Sequence, residues 1–145
     1  MANERAVEIL NRLLLAEYES LVPRLAEADP YVSLSSAEDR ARIAGIGEDV
    51  KAHVRDLVQM ILKLRGSPAP RRFATDSGGV HYVKLSSLMP AIMANLRELI
   101  STYESASGAT GVPDADMLIG AILDNYRRHF AILEKMHANP ALQTR

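Results

Sequence analysis

Two histidines stand where helices would normally place aliphatic residues. In GEDVKAHVRDL (47–57) the apolar residues fall three and four apart, and His53 occupies one position of that stripe. In LDNYRRHFAILEKM (123–136) His129 does the same. A histidine facing a core can ligate a metal, move a proton or form a buried hydrogen bond. A helix that binds a hard metal ion would want a carboxylate one turn before the imidazole, because hard cations favour anionic oxygen ligands. The residues three positions earlier are Val50 and Tyr126. Asp49 and Asn125 stand four positions before their histidines, at the edge of each stripe. From there they are placed to orient an imidazole N–H instead of binding a metal. Tyr126 is expected to fill volume and satisfy its hydroxyl at a polar neighbour.

Four helical segments carry these residues, at about 4–27, 36–64, 82–104 and 114–137. The stripe of the first includes Leu10, Leu13, Leu14 and Leu21, and Pro23 is expected to kink or end it. The second opens on the capping-box pair Ser35 and Glu38, carries Ile43, Ile46, Val50, His53, Leu57, Met60 and Leu64, and ends at Gly66 and Pro68. The third carries Leu85, Met89, Ile92, Leu96, Leu99 and Tyr103, with Pro90 inside it. The fourth starts at Pro113 with Asp114 and Asp116 in its first turn, and its stripe is Ile119, Ile122, Tyr126, His129, Leu133 and Met136. Nothing reads as a strand. Four helices with one apolar face each imply an all-α four-helix bundle in a single domain, 1–145. The links between helices one and two and between three and four suit antiparallel hairpins. The link at 66–80, GSPAPRRFATDSGGV, is long enough to cross the bundle.

Helices two and four repeat each other. IGEDVKAHVRDLVQM (46–60) aligns with ILDNYRRHFAILEKM (122–136) so that Ile46, Glu48, Asp49, His53, Leu57 and Met60 meet Ile122, Asp124, Asn125, His129, Leu133 and Met136. EYES (17–20) and TYES (102–105) echo each other more weakly in helices one and three. The bundle therefore reads as two related hairpins, each with one core-facing histidine.

Composition bounds the function. The chain has 145 residues, 48% apolar and 24% charged, with a formal net charge of −1. That is an ordinary globular composition, and without clustered basic residues it argues against nucleic acid and anionic membranes as partners. There is no cysteine, so disulfide and thiol chemistry are excluded. MANERAVEIL lacks a basic region followed by a long apolar run and so does not read as a signal peptide, no apolar run approaches the ~18 residues of a membrane span, and a cytoplasmic location is expected. There is no glycine-rich phosphate loop or Gly-x-Ser-x-Gly elbow. Apolar residues flanking the stripes, Ile9, Val54, Ile61, Phe130 and Ile132, suggest self-association as a homodimer.

The four segments resemble the ferritin-like superfamily, and in particular its bacterioferritin and rubrerythrin group. LNRLLLAE (10–17) resembles the first helix, which places an iron-binding glutamate at Glu17. GEDVKAHVRDLVQMILKLRGSP (47–68) resembles the second, with the ligand histidine at His53. NLRELI (95–100) resembles part of the third, and LDNYRRHFAILEKM the fourth, with the ligand histidine at His129. In that family one glutamate from each of helices one and three, and a Glu-x-x-His from each of helices two and four, hold two metal ions. Here Val50 and Tyr126 replace both Glu-x-x-His glutamates, and the helix-three glutamate falls at Met89. Glu98 lies nine residues beyond Met89, roughly 13 Å along the axis. The position matching the family's haem methionine is Lys51.

The resemblance thus implies a ferritin-like bundle with a degenerate di-iron site, no resident cofactor and a non-catalytic role through binding or self-association. Two alternatives stand beside it. One is a redox protein or oxidase with a single iron, manganese or zinc ion at Glu17, His53 and His129. The other is a small-molecule pocket at the vacated metal site. Without metal, Glu17 is expected to be a buried carboxyl paired with His53.

Overall fold

A computed structural model describes residues 2–20, 37–70 and 85–137. Among them are four helices and no strand: α1 (Ala2–Glu19), α2 (Ala37–Lys63), α3 (Leu85–Ala106) and α4 (Pro113–His137). No helix among the described residues is long and apolar enough to cross a membrane. Leu21, Pro23, the Ser35 cap and most of the link at 66–80 lie outside the described residues.

The ends of the helices follow from local chemistry. At the α3–α4 turn, Gly108 and Gly111 take φ of 68° and 74°, a region costly for residues with a Cβ. Thr110 lies between them. Its backbone N–H and its hydroxyl both donate to Asp116 Oδ1, at 3.1 and 2.7 Å. Asp116 thereby ties the first turn of α4 to the preceding loop. Pro113, with φ fixed and no N–H to satisfy, opens the helix.

The end of α2 departs from expectation. The left-handed residue is Arg65, at φ 64°, and Gly66 follows it. Gly66 N–H donates to Ile61 O at 2.9 Å and Arg65 N–H to Leu62 O at 2.9 Å, the paired bonds of a Schellman motif. Gly66 serves close packing: a Cβ there would lie 2.6 and 2.7 Å from the Val7 methyls. Beyond it, Asn11 grips the chain. Its amide donates to Ser67 O at 3.0 Å and its carbonyl accepts from Ala69 N–H at 2.7 Å.

Side-chain contacts give the helix directions. His53 of α2 meets Glu17, whereas Ser67, past the end of α2, meets Asn11. α1 and α2 therefore run antiparallel. α2 and α4 also run antiparallel, since Lys63 pairs with Asp114 at 3.1 Å and Asp49 meets Asn125 and His129. α3 and α4 pack as a second hairpin, with Arg127 on Glu104 at 2.9 Å and Arg97 over Phe130 at 5.1 Å. Tyr103 of α3 reaches Glu17, while Thr102, Ser105 and Ala106 lie across from Arg5, Ile9 and Leu13, so α1 is antiparallel to α3 as well.

The core is the set of stripes. Leu10, Leu13, Leu14, Ile46, Leu57, Ile92, Leu96, Ile119 and Leu133 are essentially inaccessible. One register differs from the expected one. Ile61 is fully buried, whereas Met60 and Leu64 are only half-buried. A period of 3.6 drifts off a strict three-and-four spacing over six turns, and here the chain folding back at Gly66 also covers Ile61. Ile61 is thus a core residue and not a flanking one. Ile9, Val54, Phe130 and Ile132 are half-buried. The large apolar residues exposed among the described ones are Leu62 and Met117, at 57% and 73%.

Candidate functional site

Glu17 lies on the last full turn of α1 and is 0% exposed. Burying a carboxylate without partners costs several kcal/mol, on the order of the penalty for an unpaired ion. Here three donors surround it. Tyr126 Oη donates to Oε1 at 2.5 Å, Tyr103 Oη to Oε2 at 2.6 Å, and His53 Nδ1 lies 3.3 Å from Oε1. Each donor comes from a different helix, so one carboxyl group joins all four elements of the bundle.

The two phenols are themselves fully buried. Burial, followed by the negative charge of Glu17 and the hydrogen bond to it, pushes both above the ordinary tyrosine range. They are neutral donors at any physiological pH. The His53 ring meets Tyr126 edge-on, with centroids 4.8 Å apart, and Tyr126 lies 5.8 Å from Tyr103 at a tilt. The quadrupole of the aromatic ring favours such edge and tilted contacts.

His129 belongs to a second cluster. Its Nε2 lies 2.6 Å from Asp49 Oδ2, and Asn125 Nδ2 donates to the same oxygen at 3.0 Å. Asp49 is half-exposed. Burial works to raise its carboxyl, but the hydrogen bonds from Asn125 and His129, with the electrostatic influence of both histidines, outweigh it. They hold Asp49 below its usual 3.8. The cluster joins α2 to α4 across the seam between hairpins. Asp49 and Asn125 are themselves a repeat-related pair, 76 positions apart.

The three residues read from the sequence as a metal set therefore do not converge. Glu17 and His53 are adjacent, while His129 is turned to Asp49. Asp49, Asn125 and Tyr126 make hydrogen bonds as side chains that orient others: Asp49 holds His129, Asn125 holds Asp49, and Tyr126 holds Glu17. Val50 and Met89, at positions where the resemblance places glutamates, are buried at 3% and 4% exposure, and Tyr126 fills a third such position. Among the described residues, no group of three or more His, Asp or Glu side chains is arranged to hold a metal ion. With both oxygens of Glu17 engaged by phenols, the side chains do not fit the two-metal centre that the resemblance implies.

Tyr103 is the partner that the sequence reading missed. It sits on the third stripe, where a buried tyrosine needs an acceptor. That need was readable, but its partner depends on how α1 and α3 are staggered. A cleft of about 580 Å³ lies elsewhere, on the outer groove between α1 and α3, beside Arg5, Arg12, Thr102 and Ser105. Compared with known proteins, the chain matches no described family, no curated protein and no solved structure.

Proposed function

We propose that this chain is a ferritin-like bundle in which a hydrogen-bonded carboxyl core stands in place of a di-iron centre. It acts through binding or self-association and not as an oxidase. The observation that carries this reading is the occupancy of Glu17: both of its oxygens accept phenolic hydrogens, from Tyr103 and Tyr126. A metal ion would have to displace those donors, and among the described residues no group of three His, Asp or Glu side chains is arranged to replace them. Val50 supplies packing where a ligand would be needed.

The topology supports the resemblance. α1 is antiparallel to both α2 and α3, so α2 and α3 point the same way. A link between them along the length of the bundle, the crossover of two joined hairpins, is consistent with that arrangement. The partner in this reading is a second copy of the chain, a homodimer covering the apolar side chains of Leu62 and Met117. The net charge of −1 and the lack of cysteine are in keeping with a cytoplasmic protein that does not bind nucleic acid.

Metal content tests the reading. Protein grown and refolded with excess iron, manganese and zinc is analysed by mass spectrometry, beside Glu17→Gln, His53→Ala and His129→Ala. Substoichiometric metal, equal in all four, is the expected result. Near-stoichiometric metal that falls in Glu17→Gln and His53→Ala would overturn the proposal and put a metal-dependent redox protein in its place. Sedimentation of the unaltered chain against Leu62→Lys/Met117→Lys tests the homodimer: the double variant is expected to be monomeric.

A further inference from the structure

One seam of the bundle is open on its outer side. Arg5, Ile9 and Leu13 of α1 fall four apart and share a helix face, and Thr102, Ser105 and Ala106 of α3 share the face opposite. The α3 wall carries only small side chains, so it does not reach across to α1. Between the two walls lies the cleft of about 580 Å³. Helices packed at the usual interior density leave no such space, and the volume is in the range of small-molecule sites. The floor is apolar: Leu13 and Ala106 are buried and Ile9 is half-buried.

The two walls differ in what they offer. On α1, two guanidinium groups and one carboxylate line the cleft. Arg12 donates to Glu8 at 2.6 Å, whereas Arg5 makes no ion pair among the described residues. Two positive charges against one negative leave a single surplus positive charge, and the guanidinium of Arg5 is uncommitted. On α3 the hydroxyl hydrogens are already used. Thr102 Oγ1 donates to Glu98 O at 2.9 Å, and Ser105 Oγ donates to Ser101 O at 3.1 Å. A hydroxyl has one hydrogen and two lone pairs, so only the lone pairs remain. That wall accepts hydrogen bonds and repels an anion.

We propose that this cleft binds a small amphipathic carboxylic acid whose far end carries a hydroxyl or amino group. The carboxylate lies on Arg5, in the paired hydrogen bonds that guanidinium and carboxylate geometry favours. One or two rings cover Ile9, Leu13 and Ala106, and the far group donates to Thr102 or Ser105. Each requirement removes a class of ligand. A cation is repelled by the α1 wall. A polyanion such as nucleic acid finds only one surplus charge to neutralise. A plain hydrocarbon gives nothing to Arg5, and an acid without a donor gives nothing to the α3 wall. The cleft is separate from the carboxyl core, because none of its lining residues is a hydrogen-bond partner of Glu17.

The probe for the test is 6-hydroxy-2-naphthoate, a fluorescent acid of this description. Titrated into the full unaltered chain, it is expected to saturate one site, with amide NMR shifts gathered on the residues that line the cleft. Arg5→Gln is expected to weaken binding about tenfold, the size of one hydrogen bond to a charged group. Arg128→Gln makes the same charge change at an exposed arginine away from the cleft and is expected to leave affinity unchanged. Both arginines are exposed, so the comparison does not depend on a variant that fails to fold. Naphthalene-2-carboxylate, which lacks the hydroxyl, is expected to bind several-fold more weakly. Ser105→Phe, at an exposed position on the α3 wall, is expected to fill the cleft and abolish binding with Tm unchanged. No saturation up to the solubility limit, equal affinity in Arg5→Gln and Arg128→Gln, equal affinity for the two acids, or shifts gathered on Leu62 and Met117 would each overturn the proposal. Affinity that falls as protein concentration rises would assign the cleft to a second copy of the chain and overturn it as well.

Discussion

Tyr126 Oη donates to Glu17 Oε1 across 2.5 Å, bringing together residues 109 positions apart. Tyr103 closes the other oxygen at 2.6 Å. The buried carboxyl tolerates its site through these two hydroxyls, and removing either exposes the cost. Tyr126→Phe and Tyr103→Phe are each expected to lose about 2 kcal/mol of folding free energy, the usual size for a hydrogen bond to a charged group. The double variant should lose more than the sum, because Glu17 is left with His53 alone. Urea denaturation of the three variants measures this. Losses below about 0.5 kcal/mol in both single variants would mean that the phenols only fill space.

Asp49 makes stability depend on pH in a definite direction. Its carboxyl is held below 3.8 in the folded chain, so folding favours the ionised form. The stabilisation is complete above the unfolded value of 3.8 and fades as pH falls through the lower folded value. The urea midpoint of the unaltered chain should therefore exceed that of Asp49→Asn by a constant amount near neutrality. The gap should close in acid. A gap that instead widens toward low pH contradicts the cluster as described.

Much of this was readable from the residues, for identifiable reasons. Four helices follow from four stripes, and the stripe of α3, from Met89 to Tyr103, is buried as its spacing predicts. Asp49 and Asn125 could be placed near the histidines because residues four apart share a helix face. What the sequence could not supply is the stagger between helices. Tyr103 meets Glu17 only because α1 and α3 run antiparallel at one particular offset, and nothing local records that offset. His129 reaches Asp49 across the hairpin seam for the same reason. Ile61 was misplaced because small errors in helical phase accumulate along a 27-residue helix. The metal set of Glu17, His53 and His129 came from resemblance, and resemblance carries positions without showing which way side chains turn.

The end of α2 offers a test with opposite signs at adjacent residues. Arg65 holds a left-handed conformation at φ 64°, which glycine adopts without strain. Arg65→Gly should cost little, or stabilise by up to about 1 kcal/mol. Gly66→Ala should destabilise by about 1–3 kcal/mol, because its Cβ would meet the branched side chain of Val7 at 2.6 and 2.7 Å. Val7→Ala should then recover part of that loss in the double variant. Thermal denaturation separates the cases. A neutral Gly66→Ala would show that α1 and the exit of α2 do not pack this closely.

The sharpest check on the proposed ferritin-like reading is to supply the carboxylates that the resemblance places beside the histidines. Val50 and Tyr126 each lie three residues before a histidine, on a shared helix face. Val50→Glu/Tyr126→Glu places a carboxylate beside each imidazole and also frees Glu17 Oε1 from its phenol. Without metal the double variant should be less stable by several kcal/mol, on the order expected for buried unpaired carboxyls. With zinc, manganese or ferrous iron it should recover. Binding to the folded state alone adds about 4 kcal/mol at a thousandfold excess over Kd. The unaltered chain should show no such metal-dependent rise in Tm, because both oxygens of Glu17 are already engaged by phenols. If the unaltered chain rises as much as the variant, the phenols are no barrier to metal. If neither rises, the resemblance has placed the ligands wrongly. Refolding the variant with metal present keeps the measurement possible even where the metal-free form does not fold.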